Sequence, residues 1–198
     1  MPAENSSHDR EPIATCHVPV MPNEIVHWLG EISPSVILDG TYGGGGHSAL
    51  LLGTLPAEQG HVVGLDRDPA VSERVESEQH DPRLNVFLGS YEKAPQALAA
   101  LELSLADAAV LDLGLSSDQL ADPHRGFSFN QASAELDLRF DPESGQSAAQ
   151  WLAWNKESEI ANAIYRYGEE RYSRRIAREI VARRRREANV KTEEDLVD

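Results

Sequence analysis

One cysteine, Cys16, in 198 residues excludes an internal disulfide framework and a zinc cage built on thiolates. No apolar run approaches the ~20 residues needed to cross a bilayer, and the N-terminus lacks the basic-then-apolar layout of a secretory leader. A soluble, cytoplasmic protein is the expectation. Positive charge is scarce as well. The formal net charge is −15, which for the chain taken whole argues against a nucleic-acid partner. The scarcity is local, however. Residues 1–165 carry 8 Lys/Arg against 25 Asp/Glu, whereas 166–198 carry 10 against 8. Any polyanion is therefore expected at the C-terminal third.

The length suits one core, or one core with an appendage. Residues 1–16, "MPAENSSHDREPIATC", are polar and aperiodic and read as a tail. "MPNEIVHWLGEI" reads as a helix with Ile25, Trp28, Leu29 and Ile32 on one side. An alternation follows. "SVILDG", "HVVGLDRD", "LNVFLG" and "DAAVLDLG" read as strands, and "HSALLLGTL", the segment from Pro69 to about Gln79, and "YEKAPQALAALEL" as the helices between them. Short apolar runs separated by helices indicate βαβ units and a parallel sheet. From Leu115 the chain turns Gly/Ser/Asp/Pro-rich and irregular, then helical through "SAAQWLAWN" and "SEIANAIYRYGEERYSRRIAREIVARRRRE". A boundary is placed near 114–120, dividing an α/β domain (17–114) from a helical one (115–198).

The first strand ends in "LDGTYGGGGHS". A strand that meets a Gly-rich turn opening a helix is a nucleotide-binding corner, because glycine permits the turn and lets a ligand approach the backbone. Gly43, Gly45 and Ser48 only approximate the dinucleotide pattern, and a plain tight turn has similar composition. Strand two ends "LDRD", where Asp66 can accept hydrogen bonds from ribose hydroxyls and Asp68 is expected to cap the helix begun by Pro69. Tyr91 after strand three offers an aromatic face to an adenine. Asp112 after strand four offers a carboxylate to the ligand's polar end. On these residues alone the ligand is a nucleoside-containing cofactor, with nicotinamide dinucleotide and S-adenosylmethionine both open.

"HVPVMPNEIVHWL", "LDGTYGGGGHS", "GLDRDP", "VLDLGLSSDQL", "RGFSF", "LDLRFD", "GQSAAQWL" and "YGEERYSRRIAREIV" occur in this order. Together they resemble the bacterial RsmH (MraW) family of S-adenosylmethionine-dependent methyltransferases. These modify the exocyclic amine (N4) of a cytidine in the decoding region of 16S ribosomal RNA. The resemblance runs from about His17 to the last residue. It implies a Rossmann-like class I methyltransferase sheet, incomplete here, with an inserted helical domain and further strands beyond Asp198. It also implies cofactor contacts at Gly45, Gly46, His47, Asp66, Tyr91, Asp112 and Gln119. Family members usually have Phe where Tyr91 stands, and Met at the positions of Leu138 and Phe140.

The implied chemistry is in-line transfer of a methyl group to an amine whose lone pair is conjugated into the ring. An acceptor for its N–H therefore helps, and Asp112, a carbonyl near Leu113 or Ser116 can serve. Asp112 is taken as the catalytic residue, although a purely cofactor-orienting carboxylate fits its position equally. Arg125, Phe127 and Phe129 of "RGFSF" either receive an extruded base or anchor the linker. At 100° per residue, Tyr172, Ile176 and Ile180 share one helix face, while Arg171, Arg174, Arg178 and Arg185 gather opposite. A basic stripe of this kind can track phosphates. Arg125, Arg171, Arg174 and Arg178 are the candidate RNA contacts, on ribosomal RNA or the assembled small subunit. No metal site is expected. Two alternatives stand beside this one: a nicotinamide-dependent oxidoreductase, and an inactive RNA-binding remnant of a methyltransferase.

Overall fold

The computed structural model describes residues 19–57, 59–77, 81–122, 124–128 and 135–197. The tail expected over 1–16, Gln79 and Phe129 lie outside these residues. Helix α1 (Pro22–Ile32) leads into β1 (Val36–Asp39), and α2 (Gly46–Leu52) into β2 (His61–Asp66). Helix α3 (Pro69–Ser77) precedes β3 (Leu84–Leu88). A single 3₁₀ turn over Tyr91–Lys93 and α4 (Ala94–Ala100) then precede β4 (Ala108–Val110). All strand pairs are parallel, in the order β3-β2-β1-β4. The chain thus builds outward from β1 through β2 to β3 and then returns to β1's other side. Between β1 and β4 the strand order reverses, and open α/β sheets bind ligands outside the carboxyl ends of such a pair.

Because both faces of the sheet are covered, the central strands are apolar throughout rather than alternating. Ile37 and Val62 pack with Leu29, Leu51 and Leu55 on one face, and Val63 and Leu65 with Ala97 and Leu98 on the other. Asp68 caps α3 as expected, its carboxylate accepting the Ala70 amide at 3.0 Å.

Beyond the sheet lie α5 (Ser117–Ala121), α6 (Ala148–Trp154), α7 (Glu157–Gly168), α8 (Ser173–Arg185) and α9 (Glu193–Val197). A separate core unites Leu136, Ala149, Ile160, Ala161, Ala177, Ile180, Val181 and Val190. Ser147 opens α6 with a reciprocal capping box to Gln150. Arg184 closes α6 by donating to the carbonyls of Leu152, Ala153 and Asn155.

Several expectations are corrected. The long helical stretch from 158 onward is two helices, broken where Glu169 adopts φ 52° after Gly168. Tyr172 is exposed at the start of α8, because the buried face is formed by Ser173, Ala177, Ile180 and Val181. On α1 only Leu29 is buried; Trp28 is 69% exposed and Ile32 also faces outward. Helix α5 falls in a stretch expected to be irregular. Strand β4 is shorter than its apolar run, for a reason that belongs to the site.

Candidate active site

A cleft of about 450 Å³ opens at the carboxyl ends of the strands, lined by the glycine loop, the ends of β2 and β3, and residues 112–116. Its floor depends on a buried acid. Asp39, the last residue of β1, is inaccessible to solvent and accepts the Ser48 hydroxyl at 2.7 Å and the Thr41 amide at 3.2 Å. Burial pushes its carboxyl above the usual range, against the pull of those two hydrogen bonds. One carboxylate thereby fastens the first turn of α2 and the start of the glycine loop to the sheet.

The glycines divide their work. Gly43, Gly44 and Gly46 line the cleft. Gly45 does not line it: at φ 79° its missing Cβ would stand 2.8 Å from the Tyr42 hydroxyl. On Gly64 of β2 a Cβ would meet the same ring at 2.8 Å. Two glycines therefore make a slot for the buried Tyr42, and the others leave backbone open to a ligand. Gly43 is pinned from both sides. Its amide donates to Asp66 Oδ2 at 2.7 Å, and its carbonyl accepts from Arg74.

Asp66 also takes the Asp68 amide on Oδ1 at 2.9 Å. Each of its oxygens keeps a second lone pair, which leaves the carboxylate able to accept two further hydrogens from within the cleft. Tyr91, in the 3₁₀ turn after β3, lines the cleft and is exposed, its Cβ packed where a side chain on Gly40 would stand. His47 is buried in the first turn of α2. Its Nε2 lies 3.1 Å from the Val20 carbonyl, which can only accept, so that nitrogen carries the hydrogen. Nδ1 then faces Asp112 Oδ2 at 4.0 Å. Asp112 owes its place to Thr41, whose hydroxyl accepts the Asp112 amide at 2.7 Å. This side-chain bond takes over from the β1–β4 ladder just past Val110, which is why β4 ends early and residues 112–116 swing over the cleft.

Gln119 of α5 lines the cleft too, but its amide is engaged: Oε1 accepts from Ser116 N at 3.0 Å and Nε2 donates to Asp68 at 3.3 Å. Asp68 is consequently a hub, because Arg125 reaches it at 2.7 Å in a pair that is almost fully buried. Arg125 further donates to Asp122 at 3.2 Å and to the Phe140 carbonyl at 2.8 Å. Its guanidinium faces inward, so the structure separates Arg125 from Arg171, Arg174 and Arg178, which are exposed on and before α8. Phe127 packs its ring 6.0 Å from that of Phe140, which enters the cleft wall.

Asp39 and Thr41 are members of this site that sequence reasoning passed over, while Ser48 was weighed only within the dinucleotide pattern and Phe140 only as a departure from the family's Met. Asp39 and Ser48 stood inside the quoted loop motif, where an acid at a strand end followed nine residues later by a hydroxyl was the available signal. Nothing local marked Phe140, whose carbonyl accepts from Arg125 and whose ring lies beside that of Phe127. Among the described residues no group of three His, Cys, Asp or Glu side chains is arranged to hold a metal ion. Nor is any described helix long and apolar enough to cross a membrane.

A parallel sheet with a glycine-rich first turn, an acid after its second strand and a cleft at the reversal of strand order defines an α/β protein of Rossmann-like architecture. The chain belongs to the MraW methylase family, whose model matches residues 14–198. It is 54% identical over 204 residues to "Ribosomal RNA small subunit methyltransferase H" of Rhodopirellula baltica, covering 99% of this chain and 63% of the relative. Proteins of the same name from Thiobacillus denitrificans and Methylibium petroleiphilum are each 44% identical, across 89% and 92% of this chain and 56% and 58% of theirs. The chain thus spans rather more than half the length of these relatives.

Proposed function

We propose that this chain carries the cofactor cleft and the RNA-recognition helices of an S-adenosylmethionine-dependent methyltransferase. Its target is the exocyclic amine (N4) of a cytidine in the decoding region of 16S ribosomal RNA, met as ribosomal RNA or as the assembled small subunit in the cytoplasm. The convergence of Asp66, Tyr91 and Asp112 on one cleft, in a chain of this family, carries the proposal. When bound, the cofactor supplies an electrophilic methyl group on a sulfonium. Asp66 would accept from the ribose hydroxyls, Tyr91 would cover the adenine, and the backbone of Gly43, Gly44, Gly46 and His47 would approach the remainder. Gln119 closes the side nearest Asp68. Asp112, beside His47 and at the open end of the cleft, accepts an N–H of the cytidine amine and so frees its lone pair for attack. Positioning by the Thr41 hydroxyl supports the in-line geometry that such a transfer requires. Residues 115–198 form the recognition part, with Arg171, Arg174 and Arg178 on phosphates. Arg125, held by Asp68, seats the connecting segment instead of contacting RNA.

Calorimetric titration with S-adenosylmethionine tests the cleft, with Asp66→Ala as control. Saturable binding that the variant loses supports the reading, and methylation of small ribosomal subunits then tests the reaction. A folded chain without binding overturns it.

A further inference from the structure

The turn end of the α7–α8 hairpin, residues 165–175, reads "YRYGEERYSRR". Three of its side chains are tyrosines, and none is covered: Tyr165 is 63%, Tyr167 81% and Tyr172 53% exposed. Arg166, Arg171, Arg174 and Arg175 are exposed between and beside them. The two acids in the stretch are less available than their number implies. Glu170 turns back to accept the Tyr172 amide at 2.6 Å, which leaves exposed Glu169 as the one acid of the stretch facing solvent against four arginines. Arg171 lies over the Tyr172 ring, 4.6 Å from its centroid, so planar stacking is already in use here.

Tyrosine rings so placed bury little in their own fold. Their phenyl faces are the part that gains from a partner, and the chemistry interleaved with them is cationic in a chain whose first 165 residues are strongly acidic. Aromatic faces set among arginines match a polyanion that also presents flat rings, which is a nucleic acid. A duplex keeps its base faces stacked on one another and shows only edges and phosphates. Exposed tyrosine faces thus have a use only where bases are unpaired.

We propose that Tyr165, Tyr167 and Tyr172 stack on unpaired bases, making the hairpin end a single-strand reader whose arginines hold the flanking phosphates. This rests on the RNA reading above and adds to it the secondary structure of the RNA and the residues that sense it.

The test is fluorescence anisotropy of this chain with a short labelled single-stranded RNA and with a duplex of equal length, across a range of salt. Replacing all three tyrosines with alanine is expected to weaken single-strand binding about tenfold or more. Duplex affinity and the dependence of log K on log salt should stay unchanged. Replacing the three with phenylalanine keeps the faces and should restore binding. Arg174→Ala with Arg178→Ala should instead lower the salt slope and weaken both RNAs. The inference is overturned if the alanine variant stays within about twofold of the unmodified chain for single strands, or weakens both RNAs equally. If the unmodified chain shows no salt-dependent affinity for either RNA, the RNA reading itself falls and the inference falls with it.

Discussion

The sheet and the helical region bury different things. Around the cleft, the interior holds Asp39, His47, Ser48, Asp68 and Gln119, and each has a named partner. In the helical region the interior is mostly aliphatic, with Ser147, Ser173 and Glu193 as its buried polar side chains, while most cations and aromatic rings point outward. Buried polar groups are costly unless paired, and once paired they tolerate little displacement. An aliphatic core resists displacement less sharply and leaves the surface free to carry chemistry. On the proposed reading, the sheet aims side chains inward at a small ligand, and the helices display them outward to a large one. The contrast implies that substitutions at the first region act through geometry and at the second through additive surface contacts.

The sharpest test of that contrast is Asp68→Ala. Removing the acid takes from Arg125 its most buried partner, leaving Asp122 and the Phe140 carbonyl, and uncaps α3, so the loss should be about 3 kcal/mol. Chemical denaturation should show the loss, and Arg125→Ala should give a similar one. If both fall within the range of a surface substitution, the sheet region is no more geometry-bound than the helices. Next in size is Gly45→Ala. A left-handed backbone angle and the Tyr42 hydroxyl both oppose the added methyl, so the loop must shift. Cofactor affinity, read by calorimetry, should fall by about tenfold, which is about 1.4 kcal/mol.

Acid should separate the regions. Hydrogen bonds from Arg139 hold the Asp137 carboxyl below its usual range, and the Lys191 and Thr192 amides do the same for Asp195. A depressed carboxyl stabilises the fold above its unfolded value, and that contribution is lost as pH falls through the folded value, here below about 4. Asp39 works the other way. Its raised carboxyl favours the fold when protonated, so that contribution is complete below the unfolded value and is lost as pH rises through the folded one. In the sheet it opposes the acid-side losses from Asp107, lowered by the Val36 and Ser35 amides, and from Asp81, lowered to about 2 by Arg83. On acidification, a variant keeping only Trp151 and Trp154 should lose native fluorescence at a higher pH than one keeping only Trp28. Coincident transitions would refute the separation. The smallest effect belongs to Arg178→Ala. Its 4.0 Å approach to Glu157 is solvent-exposed, so melting temperature should barely move.

What was readable in the sequence follows from range. A parallel sheet could be anticipated because apolar runs and intervening helices dictate βαβ units, and Asp68 before Pro69 announced its cap because capping is a local event. Asp66, Tyr91 and Asp112 were found because strand ends in a parallel sheet must meet along one edge. Trp28 and Tyr172 were misplaced for a complementary reason. Periodicity says which residues share a face, and only the packing partners decide whether that face is covered. Arg125 shows the same limit for charge. Its pairing with Asp68 spans 57 positions, so a basic residue in a polar linker gave no sign that it would be enclosed.

Thr41 gives the two ends of the strand-order reversal a removable peg. Backbone ladders hold β1 and β4 in register up to Val110, and from there a single hydroxyl decides where the next residue aims. Valine at that position would keep the shape and remove the peg, leaving the sheet intact but the Asp112 carboxylate unaimed. The protein thus has a one-atom adjustment for the aim of Asp112 that is separable from the assembly of its sheet, and variation at position 41 can reshape the cleft without rebuilding the fold.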